Sequence, residues 1–76
     1  MKTWGKKEIT PQMRERMEVA GKLALKWLAN GASTDDAMKP QMECNDEIYE
    51  LTIYALERDG YIERGTWGKL SVWRRR

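Results

Sequence analysis

The apolar spacing of this chain changes once, at Gly60, and that change limits the folds open to it. Before Gly60, apolar residues recur at intervals of three and four; after it they alternate with polar ones. The first period belongs to helices packed by one face, the second to half-buried strands. With 76 residues in all, there is room for one domain. A chain this short buries only about 60% of its unfolded surface. Helices and strands must therefore share one core.

Thr10-Pro11 marks a helix start, because Thr accepts a bond from an orphan N–H and Pro suits the first helical position. Met13, Met17, Ala20, Ala24, Trp27 and Leu28 then draw one stripe, with Leu23 beside it, and Asn30-Gly31 is a stop. This predicts a helix over 11–29. Ser33 or Thr34 can cap a second helix over 34–42, with Asp35 and Asp36 at its positive end. Pro40 keeps it short or distorted. The competing reading is one long helix that begins at Pro40 and runs through Asn45. Asn45 as cap, Asp46 and Glu47 in the first turn, and a stripe of Tyr49, Thr52, Ile53 and Leu56 predict a helix over 46–59. Beyond Gly60, Ile62 and Arg64, then Leu70 and Val72, alternate with their neighbours around Gly65-Thr66-Trp67-Gly68. Two such runs about a Gly-bounded turn read as a β-hairpin. Ile62, Leu70 and Val72 are expected to face the helices, since a lone hairpin is marginal in water. The methionines at 13, 17, 38 and 42 are expected as core filler. Trp27 and Trp73 are expected in or beside the core, and Cys44 as a small buried apolar residue.

Three helices and a hairpin in this order resemble a winged helix-turn-helix domain. The segment that carries the resemblance runs Met42-Glu43-Cys44-Asn45, then Leu56-Glu57-Arg58-Asp59-Gly60-Tyr61-Ile62-Glu63-Arg64. In that family an apolar residue, a tight turn, a small apolar residue and a cap join the second helix to the recognition helix. A leucine four residues before a glycine then leads into the wing. The resemblance spans roughly residues 11–74. It implies a mainly α fold with a small β-hairpin (α+β): a three-helix winged helix-turn-helix. The parts are an N-terminal arm (1–9), a three-helix core (10–60), a hairpin wing (61–73) and a basic tail (74–76). Glu43 departs from the pattern, since glycine or asparagine is usual there.

The inventory narrows function. There is no histidine, hence no imidazole base and no His-based metal site, and Cys44 stands alone. A single cysteine forms no internal disulfide and no Cys-rich zinc cluster. The six glycines are scattered, so no phosphate loop is read. An enzyme, a cofactor and a small-molecule substrate are not expected. The composition is 41% hydrophobic and 34% charged, a globular balance. No apolar run approaches the roughly 18 residues of a membrane span, and no apolar signal segment is read. No membrane partner and a cytoplasmic location are the expectations.

The net charge of +2 conceals segregation. Residues 1–30 carry seven cations against three acids, residues 31–60 two against eight, and residues 61–76 five against one. Asymmetry of this kind bears on partners rather than on fold. The expected nucleic-acid contacts are Arg64, Trp67, Lys69, Arg74, Arg75 and Arg76 on the wing, with Asn45, Gln41 and Lys39 from the helices. Lys2, Lys6 and Lys7 extend this surface if the N-terminus lies beside the wing. Trp67 either wedges against a groove or partner, or folds back onto the hairpin or Trp4. The recognition helix is expected to expose Asp46, Glu47 and Glu50, with Leu51 nearby. Carboxylates repel phosphates, so that helix docks less deeply than usual. These four residues also define an alternative protein-binding face, as in a phage-type inhibitor or adaptor; acids near a helix start can equally serve the dipole alone. The leading expectation is a small DNA-binding regulator or accessory factor on double-stranded DNA, with homodimerisation compatible with paired half-sites.

Overall fold

The computed structural model describes residues 9–76. The expectations for Lys2, Trp4, Lys6 and Lys7 lie outside the described residues. In chain order the elements are α1 (Pro11–Leu28), α2 (Asp35–Met42), α3 (Asp46–Arg58), β1 (Ile62–Trp67) and β2 (Leu70–Arg75). This is the expected mainly helical α+β arrangement, three helices and an antiparallel hairpin in a winged-helix layout.

The helix starts follow the capping chemistry of the sequence. Thr10 accepts the Met13 N–H at 3.1 Å, with Pro11 at the first helical position. Thr34, not Ser33, caps α2 by accepting the Ala37 N–H. Asn45 caps α3 by accepting the Ile48 N–H at 2.8 Å. On α1 the buried residues are Ala20, Gly21, Ala24 and Leu28, with Met13, Met17 and Trp27 packed at the margin. Small residues let α3 approach. A methyl at Gly21 would meet Thr52 and Leu56 side chains at 3.7 and 3.8 Å, ordinary contact distances. Met38 and Met42 of α2 are fully enclosed.

The long helix beginning at Pro40 does not form. Helix α2 passes through Pro40 and stops at Glu43, which is left-handed at φ 54° and ψ 46°. Pro40 lacks the donor that would have served the Asp36 carbonyl one turn back. Both residues are exposed, so water can take the vacant role. Helix α2 therefore keeps its proline without burying an unpaired carbonyl.

The hairpin departs from expectation in three ways. Gly65, Thr66 and Trp67 lie in β1, and the turn is Gly68-Lys69, closed by the Trp67–Leu70 pair. Gly68 has φ 59° and Lys69 is not left-handed, the pattern of a two-residue type II′ turn. The sequence places glycine at both ends of the predicted turn, and only the second has the positive φ that a turn needs. Leu70 does not face the helices: it is 56% exposed. Residues 66–71 are all exposed, so the tip of the hairpin runs out past the helices and its alternation covers nothing. Finally, Arg74 and Arg75 belong to β2 rather than to a tail, paired with Glu63 and Ile62. Ile62 and Val72 are buried as expected.

Trp73 has the most connections. Its backbone pairs with Ser33, between α1 and α2, in a two-way bridge of 2.9 and 2.7 Å. That bridge adds a one-residue third strand beside β2. Val72 and Trp73 are consecutive, so their side chains project to opposite faces. Both are buried, and Trp73 belongs to the main core with Ile62, Ile48, Tyr49 and Ile53.

The left-handed conformation of Glu43 costs a residue with a Cβ about 1–2 kcal/mol, offset in part by the greater backbone entropy of glycine. Glu43→Gly should raise the unfolding free energy by about 0.5–1 kcal/mol in urea titration, with an unchanged m-value.

Candidate nucleic-acid interface

The wing is held by a polar cluster at its base. Asp35, in the first turn of α2, accepts bonds from the Tyr49 hydroxyl of α3 and, at 2.8 Å, from the Trp73 indole N–H of β2. One carboxylate thus joins three elements. Ser33 adds a further tie: its hydroxyl accepts the Trp27 indole N–H at 2.9 Å and donates to the Thr34 carbonyl. Burial, reinforced by the bond to Asp35, pushes the Tyr49 hydroxyl well above its ordinary ionisation range. Over the outer face of Trp73 lies the Arg64 guanidinium, 4.0 Å from the ring centre. Arg64 and Trp73 are directly opposed across the strands, so the register itself makes this stack.

The expected contact residues divide into several settings. Arg64, Lys69 and Arg75 are exposed on the wing, and none joins an ion pair among the described residues. Arg74 and Arg76 both reach Glu63, at 2.9 and 3.7 Å. One carboxylate cannot neutralise two guanidinium groups, so the wing keeps its excess of positive charge. Arg74, Arg75 and Arg76 also line a shallow cleft of about 450 Å³ against Leu28, Ala29 and Gly31. Lys69 sits at the opposite end, in the turn. Six residue steps at about 3.3 Å each put roughly 20 Å between the two ends. Lys69 and Arg75 are therefore spaced to meet different phosphates.

The helical candidates fare differently. Lys39 pairs with Asp46, which raises the ammonium's pKa and engages its charge within the molecule. The Asn45 carboxamide oxygen is spent on the α3 cap. Gln41 is exposed near the end of α2. Leu51 cannot serve as a contact: it is 4% exposed. It lies three residues after Ile48 and beside Thr52, within a buried stripe wider than the spacing alone suggested. The exposed face of α3 is Asp46, Glu50, Tyr54, Glu57 and Arg58, and Arg58 pairs with Asp59. Glu47 is half-buried. Cys44 is half-buried at the core margin rather than enclosed, and burial raises its thiol.

Sequence reasoning took Asp35 as a helix-dipole acid and missed its role as a shared acceptor. It also missed the Ser33 bridge and the Arg64–Trp73 stack. No spacing rule predicts a pairing between residues 33 and 73. The signal that could have found the stack is the register, which the misplaced turn concealed.

Three helices and a hairpin in a winged-helix-like layout, with a cationic hairpin and an acidic third helix, are what these observations define. Comparison of the chain with protein-family models, curated proteins and solved structures gives no match. Among the described residues, no helix is long and apolar enough to cross a membrane, and no group of His, Cys, Asp and Glu is placed to hold a metal.

Two outcomes follow for the clasp. Asp35→Ala should cost about 2–3 kcal/mol, since it leaves two donors unpaired. Tyr49 is held protonated in the fold, whereas in the unfolded chain it ionises near its ordinary value of 10.0. Its contribution is therefore complete below that pH and declines as pH rises through and beyond it, by up to about 1.4 kcal/mol per pH unit. Denaturant titrations on both sides of this value should show a shallower alkaline loss in Tyr49→Phe than in the wild type.

Proposed function

We propose that this protein is a small winged-helix DNA-binding factor that grips duplex phosphates through its wing, with helix α3 held off the major groove. The observation that supports this reading most is the exposure of Arg64, Lys69 and Arg75 on one hairpin with no acid paired to them among the described residues. Affinity for duplex DNA rests largely on phosphate neutralisation and counterion release. A rigid two-stranded ribbon that carries spaced cations supplies it. The clasp at Trp73 fixes the angle at which that ribbon leaves the body, so the cations are presented in a set geometry rather than on loose chain. Asp46, Glu50 and Glu57 on α3 face away from this task, because carboxylates repel phosphate oxygens. A role in transcription regulation is consistent with binding of this kind, and a cytoplasmic location belongs to the same proposal.

A second reading has a specific observation behind it. The exposed face of α3 offers Asp46, Glu50 and Glu57 around a half-exposed Tyr54, a surface suited to a basic protein partner. Substitution of Asp46, Glu47 and Glu50 by Ala separates the two. Under the DNA reading, duplex binding stays equal or tightens, partly because Lys39 loses its partner Asp46. Under the protein reading, capture of a basic partner collapses.

About three free wing cations should give a log–log dependence of duplex affinity on salt with a slope of about −3. Lys69→Ala and Arg75→Ala should each reduce that slope by about one, across unrelated duplex sequences. Fluorescence anisotropy against salt measures it. No binding at low salt, or a slope near zero, would remove the reading.

A further inference from the structure

Trp67 and Leu70 are the last pair before the turn, directly opposed across the strands. They are 53% and 56% exposed, and they share one face of a tip only two strands wide. Every other apolar residue of the hairpin is buried: Ile62, Val72 and Trp73. The tip therefore holds an apolar pair that the fold does not cover. Lys69 lies between the two in sequence, while Arg64 and Arg75 lie further along the ribbon on its opposite face. A cation beside an exposed apolar pair, on a ribbon that carries further cations, fits a polyanion whose interior is apolar. In a duplex, the stacked faces of the bases are such an interior, and they become accessible only when a step is opened.

We infer that the Trp67–Leu70 pair is a wedge that enters between two stacked base pairs of duplex DNA and kinks it. This rests on the duplex-binding reading above and adds how the site discriminates. Apolar wedges partly unstack a step and bend the duplex by roughly 20–90°. The cost depends on the step opened, and pyrimidine–purine steps such as TA and CA open most readily. The wedge thus gives a preference among sequences without hydrogen bonds to base edges, which suits a protein whose third helix presents acids. The type II′ turn keeps the tip narrow, and Lys69 in that turn holds a flanking phosphate while the step is open.

The test uses a duplex of about 25 base pairs, a length over which a local kink is resolved from smooth bending. It carries a dye at each end and 2-aminopurine beside a single central TA step. Wild-type protein should bring the ends closer and raise the 2-aminopurine emission. Trp67→Ala with Leu70→Ala should bind with the same salt slope, leave the duplex straight and the emission low, and lose roughly five- to a hundredfold in affinity for the TA duplex. Trp67→Phe should restore bend and emission, which separates lost insertion from a damaged tip. Salt-dependent wild-type binding to a straight, dark duplex would overturn the wedge and leave duplex binding standing. Absence of wild-type binding at low salt would overturn both. If the double substitution changes only sedimentation, a second copy of the chain occupies the tip and the wedge is overturned.

Discussion

The fold depends on Trp73. Its backbone N–H and carbonyl both pair with Ser33, and across the strands it stands opposite Arg64 of β1. Its indole N–H donates to Asp35, whose carboxylate also takes the Tyr49 hydroxyl. Loop, second helix, third helix and hairpin meet at one side chain. A two-stranded hairpin has little stability of its own. Here the buried indole supplies the apolar contact, and the shared carboxylate satisfies the polar atoms that come with it. Arg64 closes the outer face by stacking on the ring, so a cation becomes part of the same assembly.

That clasp is also what gives the charge pattern its meaning. Segregation along the sequence need not survive folding, since opposite charges distant in the chain can be brought together. Some are: Lys39 meets Asp46, and Glu63 meets Arg74 and Arg76. The wing nevertheless keeps three exposed cations outside any such pair, and α3 keeps its exposed acids. Because the hairpin leaves the body from a fixed base, positive and negative surfaces belong to different elements. A basic ribbon and an acidic helix on one small domain allow one surface to grip a polyanion while the other stays clear of it.

Much of the helical part was legible because its signals are local. Thr10-Pro11, Thr34 and Asn45 each cap the helix that follows, and the three-and-four spacing on α1 identified its buried face. The hairpin was legible in kind but not in detail. Gly65 and Gly68 both suggest a turn, and sequence does not say which one has the positive φ; choosing both misplaced the turn, and the alternation does not say that the tip, Leu70 included, runs out past the helices. Leu51 was misjudged because a helix packed against two neighbours buries a wider stripe than one apolar face. Asp35 and Ser33 were missed for a deeper reason: their partners are tens of residues away, and only the assembled fold brings them together. The wing cations were found from charge alone, but not which of them Glu63 engages.

The most direct test of a wing-led interface is an amide chemical-shift map recorded while a short duplex is added at low salt. The expected result is perturbation concentrated at Arg64, Lys69, Arg75 and the Trp67 indole N–H, with the amides of Asp46 through Glu57 nearly still. Shifts concentrated on α3 with a silent wing would contradict it.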